Sequence, residues 1–517
     1  MNDPRTGDAA GGVPGGPPGV PPQAESAQDV HRWWGLVVIA LAQLMVVLDA
    51  TIVNIALPSA QRDLHISDAN RQWVITAYTL AFGGLLLLGG RIADFVGRKR
   101  TFLIGLVGFA IASGIGGAAV NSGMLFGARA LQGMFAALLA PSALSLLTTS
   151  FTDPKERARA FGIYGAIAGG GAAIGLILGG VLTEFLDWRW CLYVNVPIAG
   201  IAVLGGLSLL HDRAGHHEAR LDIPGVVLGC GGLVAIVYGF SEAEPRGWDD
   251  PLVLTLLLGG VAMLAVFVWW QTRSAHPLLP LHIIRDRNRA GCFLTMALVT
   301  IGLFGTFLFL TYYLQTILGY SPLKAGLAFL PMTVGIIVGS TQVSARLMNH
   351  VAPRALMVPG LLLAAGGLTI LTQLTVHAEY ATHILPAELL LGLGMGMTFM
   401  PVMATATQGV APGDSGVTSA TVNTSQQVGG SIGTALLNTI ATSSATAYVA
   451  AHLNPADAGD PAVVGRVTNV GVVHGYTVAI WWAVAIMLVA VVVAATMVTV
   501  GAPRHRTPRG ERLGPAV

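Results

Sequence analysis

The sequence predicts an all-α polytopic membrane protein, and three observations predict it. Of 517 residues, 53% are apolar and only 10% are charged, against roughly 25% charged in ordinary soluble domains. The mean hydropathy is +0.67, which also excludes a disordered chain. The apolar residues fall in runs long enough for helices to cross a bilayer, about 20 residues each, and too long and uniform for barrel strands. The net charge of +2 leaves no electrostatic footprint for nucleic acid.

Taken in order, fourteen runs qualify: 34–58, 72–90, 101–120, 123–149, 158–182, 190–210, 223–241, 251–270, 290–316, 322–345, 355–374, 384–406, 416–443 and 475–500. The run 416–443 is rich in Thr, Ser, Asn and Gln, which suits a helix buried inside a bundle. Residues 1–32 form a Gly/Pro-rich tail with no signal-peptide core, expected to be disordered. A second short tail follows at 501–517. With the N-terminus in the cytoplasm, twenty-one Lys and Arg lie on inner segments, six on outer ones, and Arg129 within a span. The basic bias therefore places both termini inside.

Transporters are often built from repeated halves. The segment Gly90–Lys99 (GRIADFVGRK) returns 255 residues later as Ala345–Arg354 (ARLMNHVAPR), with Asp94 replaced by Asn349 and Gly97 by Ala352. Each copy follows the second helix of a six-helix block. The organisation predicted is a six-helix bundle over 33–212, two inserted spans over 213–275, and a second bundle over 276–500.

Ionisable residues inside a span cost energy and need a reason. Asp49 lies about two-thirds along the first span and Arg129 about a quarter along the fourth, so both fall in the outer half of the bilayer. If the two helices face one cavity the pair can interact, either as a structural ion pair or as a site where protonation alternates. Glu388, in the outer part of the twelfth span, reads as a cavity residue or as one facing the outer water. Asp222 and Glu242 flank the seventh span as interfacial residues. The glycines Gly171, Gly175 and Gly179, with Gly180 beside them, predict a smooth groove on the fifth span that admits another helix, as tight packing, as a pivot between halves, or both. Tyr312, with Tyr313, Phe304, Phe307, Phe309 and Gln315 nearby, is a candidate cavity wall on the ninth span.

The sequence has no phosphate-binding G-x-x-x-x-G-K-[ST] loop, no HExxH, and no potassium-filter TVGYG. Cys191, Cys230 and Cys292 have neither disulfide nor metal-ligand spacing and read as small core residues. No enzyme, no cofactor and no metal site are expected.

These residues resemble a known family, the fourteen-spanner drug:proton antiporters of the major facilitator superfamily, from about 34 to 500. Leu48-Asp49-Ala-Thr51-Ile52-Val53-Asn54 to Pro58 is similar to the family's first-helix signature, whose aspartate is tied to proton coupling. Gly90, Asp94, Gly97, Arg98 and Lys99 match the superfamily's loop signature, implying a cytoplasmic latch between the halves. Arg129-Ala-Leu-Gln132-Gly133 matches the fourth-helix signature, whose arginine is linked to proton transfer. Gly171-x-x-x-Gly175-Leu176-x-x-Gly179-Gly180 resembles the antiporter signature of the fifth helix, with Leu176 where proline is usual. Trp188-Arg189-Trp190 with Asn195-Val196-Pro197 resembles the entry to the sixth helix, and Asn423-x-x-Gln426-Gln427-x-Gly429-Gly430 the thirteenth-helix signature. The resemblance implies two six-helix bundles of the major facilitator fold plus two inserted helices. It also implies a proton-driven exporter of drug- or antibiotic-like amphipathic molecules in the cell membrane, working by alternating access without an obligate protein partner. Asn54, Gln132, Tyr312, Gln315, Glu388, Asn423 and Gln426 are its candidate cavity residues. Export of an endogenous metabolite or natural product is the alternative substrate class, and a non-transporting membrane sensor the alternative of a different kind.

Overall fold

The computed structural model describes residues 22–151, 153–210, 222–275, 277–348, 350–410, 415–454 and 459–501, and the regular elements among them are all helical. Most of the expected N-terminal tail, the loop bases Arg213 and Arg220, and the tail beyond 501 lie outside the described residues, as does the side chain of Asp94.

The first bundle contains α1 (Pro22–Asp63), α2 (Trp73–Val96), α3 (Arg98–Gly117), α4 (Ser122–Ser150) and α5 (Pro154–Phe185), closed by the short α6 (Trp190–Tyr193) and α7 (Asn195–Leu209). The inserted pair is α8 (Ile223–Arg246) and α9 (Pro251–Gln271), followed by a connector helix α10 (Leu281–Arg285). The second bundle opens with α11 (Arg287–Tyr312), which continues as a π-helical turn over Tyr313–Ile317. Its second span is α12 (Pro322–Ala328), α13 (Leu330–Val338), a π-helical turn at Gly339–Ser344 and α14 (Ala345–Leu347). Then come α15 (Arg354–Leu371), a π-helical turn at Tyr380–Ile384 leading into α16 (Leu385–Thr407), α17 (Ser415–His452) and α18 (Pro461–Met497).

Local chemistry sets several boundaries. Asp222, Asp250 and Asp460 cap α8, α9 and α18 by accepting from Gly225 N, Leu252 N and Ala462 N, and each is followed by proline within the first two helical positions. Asn121 caps α4 by accepting from Met124 N at 2.8 Å. Gly97, at φ +106°, is the single residue between α2 and α3, a conformation that favours glycine. Gly90 differs from expectation: it lies within α2, and a Cβ there would meet nothing closer than Pro141 at 3.8 Å. The apolar periodicity of α2 carries the helix through the predicted loop, so that one glycine is enough to make the turn.

Among the described residues, twelve helices are long and apolar enough to cross a membrane. The other two predicted spans are also helical: α5 contributes the apolar stretch Gly170–Phe185, and α17, with its Thr, Ser and Asn, is 38 residues long. Exposed Leu254, Leu258, Val261, Val266 and Trp269 leave α9 with an apolar outer surface of the kind lipid covers.

In the first bundle α2 packs on α4, α3 on α4, and α1 on α5 and α7; in the second, α11 packs on α17 and α18, and α16 on α13 and α15. The bundles meet mainly where α2 lies along α17 and α5 along α12, and α8 packs against both α2 and α17. Asp222, expected at an interface, is buried and also accepts from Trp270 Nε1 at 2.7 Å and Gln271 Nε2 at 2.8 Å, stapling the base of the inserted hairpin. Glu242 pairs with Arg246 one turn on. One apolar core runs without a break from the ends of α1, α2 and α5 near residues 52–75 and 176 into α11, α13, α15, α16 and α18. The opposite end of the first bundle has a separate core of its own, built from α1, α2, α3, α4 and α7.

The helix 5 groove differs from expectation in its partner. A Cβ on Gly171, Gly175 or Gly179 would meet Val47, Thr51 or Ile52, all on α1 of the same bundle. Gly180, one residue and about 100° further round the helix, faces Leu323 and Pro322 of α12 in the other bundle. Spacing by four fixes one face of a helix, but not which neighbour fills it. Leu176, which replaces the usual proline, sets its carbonyl against Gly326 of α12. A Cβ on Gly175 would lie 2.0 Å from Thr51 Oγ1, a hydroxyl held in place by its bonds to Val47 O and Leu48 O. Gly175→Val should therefore cost about 1–3 kcal/mol through overpacking. Gly170→Val, where nothing lies within 4 Å, should cost nothing comparable. Thermal unfolding of both variants in detergent checks this, and equal melting shifts would remove the α1–α5 contact as the reason for the glycine.

Candidate functional site

Asp49 and Arg129, eighty residues apart, meet in the first bundle. Arg129 Nη1 donates to Asp49 Oδ2 at 2.6 Å, and both residues are buried to within 1%. Asp49 Oδ1 accepts from Gln132 Nε2 at 2.8 Å and from Asn195 Nδ2 at 2.9 Å. The guanidinium also donates to Val74 O and Gln132 Oε1, each at 2.9 Å, and sits 4.5 Å from the Tyr78 ring. Ser113 Oγ accepts from both Gln132 and Asn195. Five helices, α1, α2, α3, α4 and α7, thus converge on one carboxylate.

Each group is matched by type. The carboxylate accepts only, the guanidinium donates only, and the amides of Gln132 and Asn195 fill the remaining lone pairs. A buried charge pair is tolerable when its leftover hydrogen-bonding capacity is satisfied in this way. The Tyr78 hydroxyl and Asn195 Oδ1 are buried without a hydrogen-bond partner among the described residues. They are spare positions into which the network can rearrange if Asp49 is protonated. The pair does not line a gap between the bundles; it is enclosed within one of them.

A second constellation joins the bundles at the end where α1 stops and α2 starts. Arg71, only 5% exposed, donates to Asn438 Oδ1 and Tyr476 Oη, each at 3.3 Å, and pairs with Asp68 at 3.3 Å. Its guanidinium carbon lies 4.0 Å from the centre of the Tyr312 ring. Asn438 Nδ2 donates back to Asp68 O, Thr76 bonds Thr434, and Thr79 bonds Ser431 at 2.8 Å. Tyr312 Oη bonds Gln61, Gln315 Nε2 donates to Ile55 O at 2.9 Å, and Leu323 N donates to Glu184. Cross-bundle hydrogen bonds concentrate at this end, over the continuous apolar core.

Several predicted site residues therefore take other places. Tyr312 and Gln315 are seam residues, since their polar atoms are spent on α1. Tyr313 is fully buried and donates to Thr375 O within the second bundle. Gln132 belongs to the Asp49 network. Asn54 is 8% exposed and bonds back to Ala50 O on its own helix. Asn423 and Gln426 are half-buried on α17, Asn423 donating to Ser419 O. Glu388 is fully buried on α16 and stands apart from all of these. At the opposite end, Lys99 Nζ donates to Leu207 O near the last turn of α7, and Arg91 donates to Pro277 O ahead of α10.

Residue-by-residue reading of the sequence passed over Ser113, Tyr78, Arg71, Asn438 and Tyr476. Ser113 and Tyr78 look like ordinary residues of membrane helices, and Arg71 like an ordinary outer-loop base. Asn195, at the first position of α7, was visible only as part of a motif.

Comparison with known proteins identifies the family. The family model described as Major Facilitator Superfamily matches residues 39–434. The chain is 57% identical over 491 residues to the puromycin resistance protein pur8 of Streptomyces alboniger, covering 94% of each chain. It is 40% identical over 433 residues to the cephamycin export protein CmcT of Amycolatopsis lactamdurans, covering 82% of this chain and 88% of the relative. The crystal structure of the POT family transporter PepTSo superposes with a TM-score of 0.63 at 14% identity, covering 90% of this chain and 98% of that one, a likeness of fold. This multi-pass membrane protein belongs to the major facilitator superfamily.

Proposed function

We propose that the chain exports amphipathic, antibiotic-like molecules across the cell membrane in exchange for protons, by alternating access between its two bundles. The observation that carries this reading is the enclosed Asp49–Arg129 pair, an ionisable group whose one counter-charge lies 2.6 Å away in a chain related to a puromycin resistance protein and a cephamycin export protein. No cofactor enters the cycle; the proton gradient drives it.

With both termini in the cytoplasm, the sealed end is the outer one, and the state described is outward-closed. Protonation turns Asp49 from a charge into a neutral acid and removes the main attraction on Arg129. The guanidinium keeps Val74 O and Gln132 as acceptors, so it can turn within its network without becoming unsolvated. Five helices read that change at once, which couples one proton to the shape of a whole bundle. Gly90, Asp94, Gly97, Arg98 and Lys99, where α2 meets α3, act as the inner latch in this scheme. Asn423 and Gln426 on α17 offer polar contacts to the substrate.

The reading is tested by expressing the chain in an efflux-deficient host. Resistance to puromycin is expected, and a protonophore should abolish it; resistance that survives the protonophore would refute proton drive. Asp49→Asn should keep substrate binding but lose concentrative export, because the site can no longer alternate between charged and neutral forms. Arg129→Lys keeps the charge but not the planar fork, and should retain part of the rate. Puromycin-induced proton movement in liposomes decides the matter, and full coupling by Asp49→Asn would exclude this aspartate as the carrier.

The outer seam gives an independent expectation. Arg71→Leu removes hydrogen bonds to Asn438 and Tyr476 and the Tyr312 contact, together about 1–3 kcal/mol. That shifts a two-state equilibrium roughly 5- to 150-fold toward outward-open. A Thr434→Cys reporter within the seam should then react faster with an impermeant thiol reagent added from outside when Arg71→Leu is present than when Arg71 is kept. Unchanged labelling would mean that Arg71 does not hold the outer end closed.

A further inference from the structure

Glu388 is fully buried, and neither of its carboxyl oxygens has a hydrogen-bond partner among the described residues. An ionised carboxylate in that position would lack any donor to replace water, at a cost of several kcal/mol. The contrast with Asp49, which accepts three side-chain hydrogen bonds, is complete.

The placement repeats the first bundle. Glu388 lies on the fourth span of the second bundle, as Arg129 lies on the fourth span of the first. The 255-residue offset between the two loop copies carries Arg129 onto Ile384, one helical turn from Glu388. The same offset carries Asp49 onto Phe304, so the position equivalent to Asp49 carries no charge.

The way in is short. The π-helical turn Tyr380–Ile384 directly precedes α16, and Ala381 and Thr382 within it are exposed at the outer end. Such turns are locally strained and recur at functional sites. Tyr380 Oη donates to Ala328 O of α12 at 2.7 Å, closing the turn over the second bundle. Tyr380 and His383 are the titratable groups on the turn that leads into the helix of Glu388. Tyr320 lies beyond Tyr380, ring centres 6.4 Å apart, with the Lys324 ammonium 3.7 Å over the Tyr320 ring. His383, on the same turn, bonds Thr382. Among the described residues, α11, α13, α15 and α17, which pack on α16, give the carboxyl no hydrogen-bond donor.

We infer that Glu388 is a second proton-exchange site, located in the second bundle, which loads from outside when the outer end opens and is sealed as the neutral acid in the outward-closed state. The inference rests on the proton-coupled export proposed above. It adds a second proton to each cycle, carried by the bundle that lacks the Asp49–Arg129 pair. No co-reactant is needed, since the proton that binds the carboxyl oxygen is the one later released on the inner side.

The test is the ratio of protons to puromycin moved by purified protein in liposomes carrying an internal pH dye. Glu388→Gln, nearly the same in shape, should halve that ratio while still moving puromycin down its gradient, and Glu388→Asp should restore it. An unchanged ratio in Glu388→Gln overturns the inference, also when the KM for puromycin rises, because the carboxyl would then serve the substrate. Wild-type protein that moves puromycin without protons would instead refute proton coupling as a whole. Infrared difference spectroscopy of the solubilised protein reads the site without transport. A protonated-carboxyl carbonyl band that Glu388→Gln removes is expected, and its absence from the wild type overturns the neutral acid.

Discussion

The structure depends on keeping one ion pair away from both water and lipid. Moving a carboxylate and a guanidinium out of water costs several kcal/mol each even after relaxation. At Asp49 and Arg129 that cost is offset by neutral donors and acceptors arranged on every side. Those groups come from α1, α2, α3, α4 and α7, so the requirement to satisfy one aspartate fixes the relative rotation of most of the first bundle. Removing either partner would strand the other, at about 3–5 kcal/mol. Protonation is the gentler route to the same imbalance, since it removes the charge but leaves the oxygen atoms and their shape in place.

The seam between bundles is built from different material. Apart from Arg71 and the Glu184 carboxylate, its cross-bundle partners are mainly hydroxyls, amides and backbone carbonyls: Thr76 with Thr434, Thr79 with Ser431, Gln315 with Ile55 O. Neutral hydrogen bonds are each worth about 1 kcal/mol net and can be exchanged for water when the bundles part. A contact that must open in every cycle is better made from such bonds than from a fully buried ion pair. The strong interaction sits inside a rigid unit, and the weak ones sit between units.

Much of the fold was legible because the bilayer imposes its own spelling. Apolar runs of the right length gave the spans, and the rarity of charge inside them singled out Asp49, Arg129 and Glu388 without any knowledge of contacts. Contacts were harder. The face shared by Gly171, Gly175 and Gly179 was plain, but α1 and α12 both lie beside α5, and only packing decides that three glycines serve the first and Gly180 the second. Tyr312 reads as a cavity aromatic until Gln61 and Arg71, from distant positions, are found against it. Ser113 and Tyr78 carry no compositional signal, because their importance lies in what they complete.

The inserted helices constrain how the bundles can separate. Ser241 near the C-terminal end of α8 accepts from Gln72 Nε2 and Trp73 Nε1 of the first bundle, while the carbonyl of its neighbour Phe240 accepts from Thr439 of the second. The pair therefore spans the α2–α17 line on its lipid-facing side, held to each bundle by neutral hydrogen bonds. On the far side of the seam the contact is Gly180 against Leu323 and Gly326 against Leu176, backbone on backbone, with the Glu184 carboxylate accepting from Leu323 N at 2.9 Å. Separation that starts there breaks van der Waals contact and that one hydrogen bond, whereas separation at α2–α17 must break the hydrogen bonds of the seam and of the strap. The sealed end is thus joined by more hydrogen bonds along α2, α17 and the inserted pair than between α5 and α12.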